Sequence, residues 1–139
     1  MKNTIKNNAK NWTTLWNKKN NAPIVHKKLI EIITKTVKVK NKKILEVGSG
    51  LGGDLVHLAK MGGICTAIDI SKISLRKIKQ LAQKNGVHIE TVRCNAKKLI
   101  FNKETFDIVF HQGFLEHFKD PIPLLEEQKR VLKKGGFLL

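Results

Sequence analysis

From Lys43 onward, short apolar runs alternate with longer stretches whose apolar residues recur every three to four positions. The runs KKILEVG (42–48), ICTAIDI (64–70), HIETVR (88–93) and FDIVFH (106–111) are bounded by glycines or polar clusters and predict strands. The stretch GDLVHLAKMG (53–62) predicts a helix closed by Gly62. Ser71 is placed to cap a helix running to about Asn85, with Ile73, Leu75, Ile78, Leu81 and Ala82 inward and Gly86 as its stop. Asp120-Pro121 reads as a cap followed by an N1 proline, opening a helix to about Leu132. Gly135-Gly136 then turns the chain into Phe137-Leu138-Leu139, the start of a fifth strand. Apolar runs separated by helices predict a parallel sheet covered on both faces, with right-handed crossovers. Ligands of such sheets sit beyond the carboxyl ends of the strands, at the switch point.

Upstream the pattern is weaker. Residues 1–21 are rich in Asn and Lys, broken by Trp12, Leu15 and Trp16, whose spacing puts them on one helical face. Pro23 suits the first position of a helix carrying Leu29, Ile30, Ile33 and Val37. The expected division is a basic helical extension (1–40) and an α/β core (41–139).

Charge sharpens that division. Of the formal +16, residues 1–43 supply twelve lysines against one acid, Glu31. A basic arm can attract phosphate-rich partners. Lys, Asn and Ile together are also what an AT-biased genome supplies, and no aromatic-arginine interleaving accompanies them. Nucleic acid is therefore open as a partner but not favoured. No apolar run approaches a membrane span, and no secretory signal opens the chain, so a cytoplasmic setting is expected. Cys65 and Cys94 belong to no C-x-x-C and read as free thiols in apolar runs; with the histidines they show no metal spacing, and no metal is expected.

The first strand leads into Glu46-Val47-Gly48-Ser49-Gly50-Leu51-Gly52-Gly53-Asp54. Glycines at 48, 50 and 52 let the backbone bend sharply and approach a ligand, and a helix N-terminus follows. Gly48, Gly50 and Gly53 also satisfy the dinucleotide pattern G-x-G-x-x-G, and Asp69, ending the second strand, can bind ribose hydroxyls of either class of cofactor. Glu46 shifts the balance. An anionic pyrophosphate beside a carboxylate is unfavourable. S-adenosyl-L-methionine brings an ammonium and a sulfonium and no phosphate.

ILEVGSGLGGD resembles the first motif of class I S-adenosylmethionine-dependent methyltransferases, and AIDIS their second. Residues 89–101 are similar to the segment flanking adenine. FDIVFHQGFLEHFKDP and LLEEQKRVLKKGGFLL resemble the fourth strand, its loop, the next helix and the fifth strand. The resemblance covers residues 42–139 in the family's order. It implies a doubly wound, mostly parallel Rossmann-like sheet of the methyltransferase type. It also implies S-adenosyl-L-methionine held by Glu46, Gly48, Ser49, Gly50, Gly52, Asp69, Ile70, Asn95, Ala96, His111 and Gln112. Asn95 stands where the family usually has Asp; its amide oxygen can still accept from the adenine amino group. The family completes its sheet with an antiparallel hairpin. Leu139 lies inside the fifth strand, so a chain without that hairpin, with an exposed apolar edge, is expected.

The reaction implied is in-line transfer of a methyl group to an acceptor. LEHF (115–118) resembles a stretch of small-molecule methyltransferases such as those of quinone biosynthesis, which favours a small-molecule acceptor. His117 is the candidate general base, needed only if the acceptor must lose a proton. Enzymes that methylate amino groups of bases or of glutamine carry Asn/Asp-Pro-Pro-aromatic after the fourth strand; here it is His111-Gln112-Gly113-Phe114. The alternatives are an RNA or protein methyltransferase using the basic arm, a non-catalytic cofactor-binding fragment, and a nicotinamide oxidoreductase, which Glu46 disfavours. Trp12 and Trp16 can fold over the donor or dock their helix on the sheet; docking is favoured.

Overall fold

The computed structural model describes residues 9–18 and 22–139. The first part of the Asn/Lys-rich arm lies outside the described residues. In chain order the elements are α1 (Ala9–Trp16), α2 (Lys27–Thr36), β1 (Lys43–Val47), α3 (Gly53–Lys60), β2 (Ile64–Asp69), α4 (Lys72–Lys84), β3 (Ile89–Arg93), β4 (Phe106–Phe110), a 3-10 turn (Leu115–His117), α5 (Ile122–Val131) and β5 (Leu132–Leu138).

The strands form one parallel sheet of order β3-β2-β1-β4-β5. The chain winds outward from β1 through β2 to β3, then returns to place β4 on the other side of β1, so the switch point falls between β1 and β4. Side chains alternate across the pleat. Ile44 joins a core with Ile30 and Ile33 of α2, Leu55 and Leu58 of α3, and Ile78 of α4. Leu45 and Val47 face the other way, into a core with Leu99 and with Leu124 and Val131 of α5. The doubly wound architecture read from the sequence is the one observed.

Local signals set most boundaries. The Ser71 hydroxyl accepts the Ser74 N–H at 3.2 Å, capping α4, and Gly86 leaves that helix at φ +66°. Gly62 turns the chain out of α3 at φ +89°. The Asp120 carboxylate accepts the Ile122 N–H at 3.0 Å, so Asp120-Pro121 does open α5, with the first helical residue one position later than expected.

Other expectations need correction. Pro23 does not start a helix: residues 22–26 are non-helical and α2 begins at Lys27. The reason is tertiary. Any Cβ at Gly53 would collide with the Ile24 carbonyl, so this segment lies directly on the first turn of α3, where the His26 N–H donates to Asp54. That anchor outweighs the preference of proline for a helix start. The fifth strand begins earlier than the glycine pair. Leu132 pairs with Phe106 and Phe137 with Ile108, so Lys133 to Gly136 form a bulge in which Gly135 takes φ +75°. β3 and β5 are the sheet edges, and Phe137 and Leu138 are exposed on the latter. Finally, α1 docks on α4 rather than on the sheet: Thr13 and Ser71 hydroxyls meet at 3.2 Å, and the Lys77 ammonium donates to the Trp16 carbonyl. No helix among the described residues is long and apolar enough to cross a membrane.

Candidate cofactor pocket

The parallel register brings the carboxyl ends of β1, β2 and β4 to one rim, with Glu46 opposite both Ala67 and Phe110. A cavity of about 480 Å³ opens there, bordered by the glycine loop, α1 and the loops after β2, β3 and β4. That volume is in the range of small-molecule sites.

Conformation makes the loop. Gly48, Gly50 and Gly52 take φ of +70°, +54° and +74°, which side-chain-bearing residues rarely adopt. Their bareness also admits neighbours: a Cβ at Gly48 would collide with the Phe114 ring, and one at Gly50 would press on the Trp16 ring at 3.2 Å. The Gly48 and Ser49 N–H groups donate to the Ile68 carbonyl at 3.0 and 3.1 Å, and the Ser49 hydroxyl donates to the Glu46 carbonyl at 2.9 Å. Asp69 braces the loop from β2. One oxygen accepts the Gly50 N–H at 3.2 Å and the other the Ser71 N–H at 2.9 Å, tying the loop to the start of α4. Burial pushes the Asp69 carboxyl up, and the hydrogen bonds from Ser71, Gly50, Ser74 and Ile70 oppose that.

Glu46 is buried against the loop, and its Oε2 has no partner among the described residues. Burial holds its carboxyl well above the usual range, and the carboxylates of Asp54 and Asp69 add to the effect.

Glu46, Gly48, Ser49, Gly50, Gly52, Asp69, Ile70, Asn95, Ala96, Gln112 and His117 all line the cavity. His111 does not. The alternation of β4 turns it away from Phe110 toward α5, where its Nδ1 lies 3.0 Å from the buried Gln128 Oε1. The Asn95 side-chain oxygen accepts the Lys97 N–H at 2.9 Å, so part of its acceptor capacity closes a local turn. His117 meets the Trp12 ring edge-on at 4.9 Å. Trp12 and Trp16 line the cavity as well, so α1 both docks and covers.

Sequence reading missed His26 and Asp54. Asp54 sits in the first helical turn, where an acid is favoured for helix stability alone. Its partner is far away in sequence, and no local pattern joins them. Among the described residues no cluster of His, Cys, Asp or Glu is arranged to hold a metal ion.

The profile of the family described as "Methyltransferase domain" matches residues 45–139. The chain belongs to this family. This methyltransferase domain is 32% identical over 102 residues to the uncharacterized methyltransferase YbaJ of Bacillus subtilis, covering 73% of this chain and 40% of that one. It is 35% identical over 112 residues to the ubiquinone biosynthesis O-methyltransferase of Haemophilus ducreyi, covering 77% and 48%. Among solved structures, the YcgJ protein of Bacillus subtilis superposes with a TM-score of 0.74 at 25% identity, over 81% of this chain and 49% of that one. The chain thus spans about half the length of these relatives.

The donor implied by the family is S-adenosyl-L-methionine, and the site suits it. The Glu46 carboxyl at the loop has an oxygen without a partner among the described residues, and a ligand ammonium there would favour its ionised form.

Proposed function

We propose that this methyltransferase domain binds S-adenosyl-L-methionine and transfers its methyl group to a small-molecule acceptor in the cytosol. The observation that carries the reading is the Glu46 oxygen at the glycine loop, which has no partner among the described residues. Glu46 takes the ammonium of the amino-acid tail. The bare backbone from Gly48 to Gly52, with Ser49, admits the tail. Asp69 accepts from the ribose hydroxyls, and Ile70, Asn95 and Ala96 border the adenine. When bound, the donor supplies an already activated methyl group. The residues contribute alignment and exclusion of water, with Trp12, Trp16 and Phe114 closing the cavity. Gln112 borders the donor, and His117 faces the acceptor. His117 takes a proton if the acceptor is a hydroxyl, as the name of the Haemophilus relative would require.

Thermal denaturation with S-adenosylhomocysteine and with NADH tests the cofactor. A ligand at a hundred times its Kd stabilises the fold by about 2.7 kcal/mol. A shift with S-adenosylhomocysteine alone is expected; a shift with NADH alone refutes the reading.

A further inference from the structure

The inner face of α5 carries Leu124, Gln128 and Val131, all fully buried. The two apolar members pack with Leu45, Val47 and Val109 of the sheet. Gln128 breaks the stripe. An amide taken out of water costs stability unless both its ends are hydrogen-bonded, and a leucine or methionine would fill the place without that cost. Only one end of Gln128 is matched. Its Oε1 lies 3.0 Å from His111 Nδ1, and its Nε2 has no partner among the described residues. An amide oxygen only accepts, so Nδ1 carries the hydrogen and the ring is held in one orientation.

His111 stands where the sheet gives way to the pocket wall. Its main-chain N–H donates to the Leu139 carbonyl at 3.1 Å, extending the β4–β5 ladder by one step. The next residue, Gln112, lines the cavity, and so does Phe114. The His111 and Phe114 rings lie 6.4 Å apart at a tilt of 55°, within the range of ring–ring contact. Phe114 in turn lies on the glycine loop, since a Cβ at Gly48 would collide with its ring, and it meets Phe118 edge-on at 4.9 Å. A line of contacts therefore runs from a core amide, through an imidazole and a phenyl ring, to the loop at the mouth of the cavity.

We propose that Gln128 is a positioning residue for the donor pocket. Its hydrogen bond holds the His111 ring against Phe114, and that contact sets the wall that Gln112 and Phe114 build against the glycine loop. The buried amide thus lowers the stability of the core and fixes the shape of the site. This rests on the donor reading above.

Calorimetric titration of the whole chain and its variants with S-adenosylhomocysteine, alongside thermal melting, tests the assignment. Gln128→Met keeps the shape and removes the amide. It is expected to melt at or above the wild-type temperature while losing roughly three- to tenfold in affinity. A residue that only filled the core would show no such opposition. His111→Leu is expected to lose a similar factor, and the double variant no more than the larger single loss, because both act through one contact. In His111→Asn an amide nitrogen can replace Nδ1 as the donor, and affinity within about twofold of wild type is expected. Wild-type affinity in Gln128→Met, losses that multiply in the double variant, or a His111→Asn as weak as His111→Leu overturns the assignment alone. Should Gln128→Met not fold, the comparison of His111→Asn with His111→Leu decides. A wild-type chain that does not bind S-adenosylhomocysteine overturns the donor reading and this assignment with it.

Discussion

Burial governs how Glu46 titrates. Its folded-state pKa is raised by burial and then by Asp54 and Asp69, so the folded chain holds this proton to higher pH than the unfolded chain. Its contribution to stability is fully present below the ordinary carboxylate range and is lost as pH rises through the raised value. Glu46→Gln should therefore stabilise the ligand-free protein at neutral pH by roughly 1–3 kcal/mol and flatten its stability against pH. The same change should weaken S-adenosylhomocysteine about tenfold or more. Denaturant unfolding across pH checks the first; an unaltered or steeper profile in the variant contradicts it. Gly48→Ala acts through shape. The residue would sit at φ +70° with its Cβ in the Phe114 ring, and a loss of about 1–3 kcal/mol is expected together with loss of ligand binding. Full binding by a stable Gly48→Ala protein would show that the loop does not hold the ligand closely.

Among the elements, α1 gives a direct signal. The chain has two tryptophans, both on α1 and both lining the cavity. Their emission reports that helix alone, so titration with S-adenosylhomocysteine should change it; an unaffected spectrum under saturating ligand would place α1 elsewhere in solution. The strands and the capped helices were legible in the sequence because their determinants are local: apolar runs, the Ser71 cap, and glycine at 62 and 86. The start of α2 was not, because contact with Gly53 and Asp54 overrides what Pro23 prefers. Most of the pocket followed from the glycine loop and Asp69, since motif and geometry coincide there. His111 was misplaced because it lies one residue past β4, where the pleat decides which way a side chain points. Below the loop, fully buried Ile78 packs against Gly52. Ile78→Ala should cost about 2–5 kcal/mol, and chemical denaturation measures it.

For the whole molecule, the pocket and the surface have opposite signs. Glu46, Asp54 and Asp69 border the cavity of a chain whose formal charge is +16. S-adenosylmethionine is itself net positive, and S-adenosylhomocysteine is net neutral. Long-range repulsion of the former is screened by salt, while the buried contacts are screened much less. Association of S-adenosylmethionine should quicken as salt rises from about 0.01 to 0.1 M, where the Debye length falls from about 30 to 10 Å; that of S-adenosylhomocysteine should stay flat. Stopped-flow emission tests this, and identical salt responses would sink it. The placement of the pocket at strand ends carries a further consequence. Its floor is fixed by the parallel ladder from β3 to β4, whereas the walls from residues 12–16, 22–26 and 112–118 add no rung to that ladder. Those walls can change in sequence without shifting the register of the strands beneath them.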